Sequence, residues 1–149
     1  MGLQKLIYFI PLTSSIFLGL LMSFSLSAFA QQEMTQPLQG LIGQADRGRA
    51  LVSNKQKSLC LLCHQGPIPE DRFQGNLAPD LGLIAQRLTA AQLRARIVDA
   101  SQFNPQTIMP SYYRTEGLTR VSQSYKGQTI LTAQEIEDVI AFLETLKPR

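Results

Sequence analysis

The segment Cys60-Leu61-Leu62-Cys63-His64 decides the fold of this 149-residue chain. Its two cysteines are three residues apart, so on one helical turn both thiols face the same direction. The histidine that follows is the only histidine in the sequence. This C-x-x-C-H pattern is typical of a c-type haem attachment site, where the thiols add to two vinyl groups along one haem edge. The segment therefore predicts one covalently bound haem c on Cys60 and Cys63, with His64 as an axial ligand of the iron.

Other uses of a C-x-x-C pair fit the sequence less well. Two cysteines in an exported chain would ordinarily form a structural disulfide. A zinc site needs four nitrogen or sulfur ligands, whereas this chain offers three contiguous candidates. A thioredoxin-like motif normally lies in a β-α-β context, which the sequence does not indicate. A thiol-disulfide oxidoreductase that uses Cys60 and Cys63 is kept as a remote alternative, which two free thiols in a colourless protein would support.

The sixth iron ligand has to be a residue other than histidine. Methionine is the usual partner of histidine in electron-transfer haems, and two of the four methionines lie within the first 30 residues. Of the remaining two, Met34 lies in a weakly patterned stretch, whereas Met109 lies in a long loop before Pro110. That proline disfavours helical dihedral angles at Met109 and keeps it extended. We predict Met109 as the ligand; the alternative is that it fills a gap in the core.

The N-terminal residues 1–30 have the pattern of a secretory signal peptide. Lys5 is their only charge, and an apolar stretch then ends in small residues at Ala28 and Ala30. An uncleaved membrane anchor is the alternative, but the apolar run falls short of the roughly 20 residues that span a bilayer core. We therefore expect export to the periplasm, cleavage after Ala30 and no stable membrane insertion afterwards.

The rest of the chain is expected to form one domain. Residues 31–43 are a lead-in segment without sustained periodicity, and residues 44–149 are the monohaem cytochrome c domain.

The chain has 14 basic and 11 acidic residues, and the basic residues form no stripe. The sequence therefore gives no indication of nucleic-acid binding.

Helical patterns separated by two long loops predict an all-α fold. A short helix is expected over 45–54, although Gly48 weakens it. Capping boxes predict helices over 90–100, after Thr89, and from Thr132 to Leu146. Prolines and glycines mark 65–82 and 102–131 as loops. We expect a single-domain, class I-like cytochrome c fold whose long loops wrap around the haem and whose core the haem completes.

Several loop side chains invite a role at the haem. Arg114 and Arg120 are candidates to pair with the haem propionates, although both could simply be solvated. Tyr112 and Tyr113 could pack on the haem edge or hydrogen-bond a propionate, but they could equally anchor the loop. No catalytic residue is predicted, because the only histidine is expected on the iron and cannot activate a nucleophile.

The stretch from Gly48 to Leu146 resembles SoxX, the monohaem subunit of the SoxAX cytochrome complex of sulfur-oxidising bacteria. The resemblance lies in three strings, which are LCLLCHQGPIPEDRFQGNLAPDL around the attachment motif, RIVDASQFNPQTIMPSYYR around Met109, and ILTAQEIEDVIAFLETL at the end. Cys60, Cys63, His64 and Met109 all agree with the pattern of that family.

The resemblance implies a heterodimer with a SoxA-type cytochrome subunit in the periplasm. Such a pair is an L-cysteine S-thiosulfotransferase, which joins thiosulfate oxidatively to a cysteine of a SoxYZ-type carrier protein. The resemblance assigns the sulfur chemistry to the partner, so this chain would not be catalytic alone and would pass electrons to a small acceptor cytochrome. The alternative is a free-standing periplasmic cytochrome c that shuttles electrons between other complexes.

Overall fold

The computed structural model describes residues 33–148, so the predicted signal peptide lies outside the described residues. Within this range the regular structure is helical. The α-helices are α1 (Ala45–Ser53), α2 (Cys60–Cys63), α3 (Leu81–Arg87), α4 (Ala90–Asp99) and α5 (Ala133–Thr145). Three short 3-10 turns are also present. Leu38–Gly40 lies before α1, and Ala100–Gln102 and Gln123–Tyr125 lie between α4 and α5. No helix among the described residues is long and apolar enough to cross a membrane.

The two capping boxes predicted from the sequence are present. The Thr89 hydroxyl accepts a hydrogen bond from the amide of Gln92 at 3.2 Å, and the Thr89 amide donates to the Gln92 side chain at 3.1 Å. Thr132 and Glu135 repeat the arrangement at the start of α5. Each box satisfies backbone donors that the first turn of a helix leaves without partners.

The prediction of a loop over 65–82 was wrong at its end, because α3 begins at Leu81. Asp80 caps this helix, since its Oδ1 accepts from the amides of Gly82 at 2.8 Å and Leu83 at 3.1 Å. Glycine at 82 was taken as a loop signal, but the aspartate cap outweighs its low helix propensity.

Helix α5 forms the centre of the core. It packs mainly against α1 and also against α3 and α4. One side of α5 is buried through apolar side chains that recur at the helical period. These buried residues of α5 are Ile136, Val139, Ile140, Phe142 and Leu143.

The lead-in segment is bound to the surface of the helices. The lead-in is held by the two members of a buried ion pair, in which Arg94 Nε lies 2.7 Å from Glu137 Oε1. Arg94 also donates to the carbonyl of Met34 at 2.6 Å, and Glu137 accepts from the amide of Leu38 at 2.8 Å. The pair thus joins α4 to α5 and fixes residues 34–38 against both helices.

Candidate functional site

A cavity of about 260 Å³ lies beside α2, between the helices and the Met109 loop. It is lined almost entirely by hydrocarbon. The lining residues are Val52, Cys60, His64, Pro79, Leu81, Ile84, Leu88, Leu93, Arg96, Ile97, Met109, Tyr112, Leu131, Val139 and Leu143. Three of the four predicted site residues, Cys60, His64 and Met109, therefore meet at one cavity.

The attachment motif forms a single helical turn whose two leucines have different surroundings. Leu61 is fully buried, whereas Leu62 is 54% exposed. Leu61 anchors the turn in the core, and the amide of His64 closes it by donating to the Cys60 carbonyl at 2.9 Å. The two cysteines form no disulfide with each other. Cys60 lines the cavity, whereas Cys63 is half-buried and is not among the lining residues.

The thiol of Cys60 lies in an apolar environment. Burial raises the pKa of Cys60, an effect that hydrogen bonding toward Ser58 opposes. The carbonyl of Ser58 also accepts the hydroxyl proton of the buried Tyr112, which lines the cavity. Tyr112 therefore anchors the loop after Met109 to the residues before the motif. Its hydroxyl proton is committed to that carbonyl, and so it is not free for a propionate.

His64 is oriented by the backbone of the loop that follows it. Its Nδ1 lies 2.6 Å from the carbonyl oxygen of Pro79. Because a carbonyl can only accept, the hydrogen bond assigns the ring proton to Nδ1 and leaves a lone pair on Nε2. A backbone carbonyl in this position fixes the tautomer and the ring orientation of a metal-binding histidine. The imidazole is thus prepared to bind a metal through Nε2.

The loop that orients His64 is held close to α2 by backbone hydrogen bonds. The amide of Gly75 donates to the Leu61 carbonyl at 2.8 Å, and that of Ala78 donates to the Cys63 carbonyl at 2.9 Å. A Cβ at Gly75 would lie 2.1 Å from the carbonyl oxygen of Leu62. Only glycine permits this approach, so Gly75 sets the path that brings Pro79 to the histidine.

The two candidate methionines occupy different environments. Met109 lines the cavity and is half-buried. Met34 packs against the core, its carbonyl accepts from Arg94, and it is not among the cavity residues. This placement favours Met109 over Met34 as the sixth ligand. Binding of its thioether to iron remains a prediction.

The comparisons with known proteins agree with this geometry. A family model described as cytochrome c matches residues 45–147. The chain belongs to the cytochrome c family. This cytochrome is also similar to a solved structure, the crystal structure of SoxXA from P. pantotrophus, with 33% sequence identity and a TM-score of 0.71. The match covers 79% of this chain and 92% of that chain. No curated protein sequence is significantly similar to the chain.

These similarities confirm the main conclusions drawn from the sequence. The cytochrome is of the SoxX type, has an all-α, class I-like cytochrome c fold, and carries one covalently bound haem c that transfers electrons. The residues present fit this group. A largely apolar cavity suits a flat macrocycle, two thiols stand at the spacing of the attachment motif, and an imidazole nitrogen and a thioether reach the same cavity.

When bound, haem supplies a one-electron couple at its iron, and the protein holds and surrounds it. Cys60 and Cys63 would form the thioether links. His64 and Met109 would bind its iron. The apolar lining would exclude water, and methionine together with burial would favour a high reduction potential.

Arg96 is a cavity residue that the sequence analysis missed. It is the only arginine or lysine among the lining residues. Its guanidinium stacks over the ring of Phe103, 4.4 Å from the centroid, and donates to the carbonyl of Gln92 at 3.1 Å. Arg96 lies between Leu93 and Ile97 on one helical face, and this spacing was the signal that could have identified it.

The loop arginines proposed as propionate partners do not line the cavity. Arg114 Nε lies 3.2 Å from the buried carboxylate of Asp99, and Arg120 is exposed. The hydroxyl of Tyr113 accepts from the side chain of Gln39 at 3.2 Å. Arg96 therefore replaces these residues as the candidate cation for the haem.

Proposed function

We propose that this cytochrome is the electron-transfer subunit of a SoxAX-type L-cysteine S-thiosulfotransferase. It accepts electrons released when thiosulfate is joined to a cysteine of a SoxYZ-type carrier protein, and it passes them to a small acceptor cytochrome. The observation that carries the proposal is the 33% identity to SoxXA from P. pantotrophus over most of both chains. The proposal places the mature protein in the periplasm, after cleavage of the signal peptide at 1–30.

The division of labour follows from the residues of the chain. Conjugation joins a sulfur of thiosulfate to the carrier thiolate through a new S–S bond, and two electrons leave. The chain has two cysteines and one histidine, and all three belong to the attachment motif. Because Cys60, Cys63 and His64 are committed to the haem, neither a thiol nor an imidazole base is left for sulfur chemistry. The bond-making step therefore belongs to the SoxA-type partner.

A surface for this partner lies next to the attachment motif. We define the motif-side surface as Leu62, Phe73 and Leu77, which are 54%, 86% and 69% exposed. The hydrogen bonds of Gly75 and Ala78 to α2 hold these three side chains along one stretch of backbone. Exposed apolar groups gathered at one place are typical of a protein interface.

Two ion pairs lie near the motif-side surface, while Arg72, next to Phe73, is exposed and has no ion-pair partner among the described residues. Lys55 lies 2.9 Å from Asp71, and Arg49 lies 2.5 Å from Glu70. A border with two neutralised ion pairs and a single cation favours a stable apolar contact over attraction to a strongly charged partner. This character suits a permanent subunit, which the SoxA-type cytochrome would be.

Purification from the native periplasm tests the proposal. The wild-type cytochrome is expected to copurify with a second haem protein, and the pair to become reduced when thiosulfate and the carrier protein are added together. A Phe73→Ser, Leu77→Ser variant should lose the partner. Ile42→Ser is the matched control, because Ile42 is 85% exposed and lies beside α5, where its carbonyl accepts from Gln134.

Other outcomes distinguish the alternatives. A monomeric, haem-containing wild-type protein that thiosulfate and carrier do not reduce would favour the free-standing electron shuttle. Loss of the partner in Ile42→Ser but not in the double variant would move the interface away from the motif-side surface. A colourless protein with two titratable thiols would favour the thiol-disulfide oxidoreductase.

A further inference from the structure

A buried carboxylate joins the end of α4 to the segment that carries Met109. Asp99 is the last residue of α4 and is only 4% exposed. Its Oδ1 accepts a hydrogen bond from the hydroxyl of Ser111 at 2.5 Å. Ser111 is also buried and follows Met109 by two residues. A charged hydrogen bond between two buried groups is among the stronger polar contacts in a protein.

The backbone beyond Ser111 follows the same path. The amide of Tyr112 donates to the carbonyl of Ile97 at 3.1 Å, and that of Tyr113 donates to the carbonyl of Val98 at 3.3 Å. Residues 111–113 therefore run alongside the last turn of α4. Because Ile97 itself lines the cavity, this contact fixes the loop with respect to the cavity wall.

The residues that flank Met109 contribute little to its position. Ile108 is 75% exposed and Pro110 is also exposed. On the N-terminal side, the amide of Met109 donates only to the nearby hydroxyl of Thr107, at 3.2 Å. Burial of the neighbours thus cannot hold this stretch, and the nearest firm attachment is the hydrogen bond between Ser111 and Asp99.

The other groups around Asp99 form a second set of contacts. The hydroxyl of Ser101 donates to Oδ1 at 2.6 Å, and the side chain of Gln102 donates to Oδ2 at 3.0 Å. Both belong to the 3-10 turn that follows α4, and neither is on the Met109 segment. The two serines therefore contact the same carboxylate oxygen at nearly equal distances, but of the two only Ser111 lies on the Met109 loop. Arg114, further along that loop, places its Nε 3.2 Å from Oδ2.

We propose that Asp99 is a positioning residue for the haem, which clamps the segment after Met109 through Ser111 and so keeps the thioether in the cavity that contains His64. The inference rests on the proposed assignment of Met109 as the sixth ligand. Asp99 touches neither the ligand nor the iron on this account. It acts by preventing the loop from moving away.

Ser111→Ala and Ser101→Ala in the haem-loaded protein form the test. Each removes one hydroxyl that donates to Asp99 Oδ1, so the carboxylate loses a similar contact in both. In the ferric protein, imidazole should displace the sixth ligand of Ser111→Ala with about tenfold higher affinity than in wild type, because one charged hydrogen bond no longer opposes loop opening. Ser101→Ala should change that affinity by less than about twofold. Equal affinities in the two variants would overturn the clamp.

Hydrogen exchange separates failure of the clamp from failure of the ligand assignment. The amides of Tyr112 and Tyr113 should exchange faster in Ser111→Ala than in Ser101→Ala, whatever group binds the iron. If exchange is equally slow in both, the clamp is wrong. If exchange is faster as expected but the wild-type protein lacks a sulfur-to-iron charge-transfer band, the loop is clamped but holds no iron ligand, and both the positioning role and the assignment of Met109 are overturned.

Discussion

Gly48 of α1 faces the backbone of α5 at the residue Asp138. A Cβ built on Gly48 would lie 1.9 Å from the carbonyl oxygen of Asp138 and 2.9 Å from the Cβ of Phe142. The end of the lead-in approaches α5 equally closely, because a Cβ on Gly43 would lie 1.9 Å from the carbonyl oxygen of Glu137. The absence of side chains at these two positions lets α1 and the end of the lead-in approach α5 directly.

Replacement of Gly48 by alanine is expected to destabilise the protein. Alanine favours an isolated helix over glycine by about 1 kcal/mol, but here the clash with α5 forces the helices apart. We expect a net loss of at least about 2 kcal/mol in the free energy of unfolding, measured by urea denaturation of the haem-loaded protein. Ala50→Ser, on the exposed side of α1, should change it by less than about 0.5 kcal/mol. Unchanged or increased stability of Gly48→Ala would contradict the close packing.

The sequence pattern predicted α1, α4 and α5, because their signals are local, but it predicted no helix at α3. The capping boxes at Thr89 and Thr132 and the spacing of apolar residues in α5 are readable from a few neighbouring residues. Gly48 was misjudged for the opposite reason. Its effect depends on a helix some ninety residues away, so local propensity marked it as a weakness of α1.

The site was partly predictable for a related reason. The attachment motif and the proline after Met109 are contiguous signals, and they led to residues that the structure gathers at one cavity. Two features of the site were not predictable, namely the position of Arg96 at the cavity and the hydrogen bond from His64 to Pro79. Both depend on which surfaces face the cavity after folding. Arg114 was a candidate partner for a haem propionate, with solvation as the alternative, but its Nε lies beside Asp99 at the end of α4 instead.

Met109→Ala should leave the haem attached and remove the sixth ligand. The two thioether links do not depend on Met109, so the haem should remain with the polypeptide in denaturing gels. The absorption band from sulfur to iron should disappear, and the reduction potential should fall because a soft thioether stabilises ferrous iron. Met34→Ala, which changes a methionine outside the cavity, should retain the band. Loss of the band in Met34→Ala alone would assign the ligand to Met34.

Arg96→Gln should lower the reduction potential. A positive charge beside the haem favours the ferrous state, because reduction removes one positive charge from the iron. For a partly buried charge at the edge of an apolar cavity, an effect of about 1 kcal/mol is expected, which is roughly 40 mV for a one-electron couple. Potentiometric titration measures it, with Arg87→Gln on the exposed part of α3 as control. Equal shifts in both variants would show that Arg96 acts only through net charge.

The carboxylate of Asp99 should make stability depend on pH in the acid range. Burial would raise the pKa of Asp99, but hydrogen bonds from Ser101, Ser111 and Gln102 outweigh it and lower the pKa from 3.8 to about 2. A group whose pKa is lower in the folded state stabilises the fold when ionised. Its contribution is thus complete above about pH 5 and is lost as the pH falls through 4 toward 2.

This difference in pKa corresponds to about 2 kcal/mol of stability. Asp99→Asn should therefore be less stable than wild type at pH 7, and the gap should narrow steadily between pH 4 and pH 2, as urea denaturation at each pH would measure. Glu116→Gln, in an exposed part of the second loop, should follow the wild-type curve. A constant difference in stability between Asp99→Asn and wild type would mean that Asp99 has the same pKa in the folded and unfolded states. Its hydrogen bonds would then only cancel the rise in pKa that burial causes.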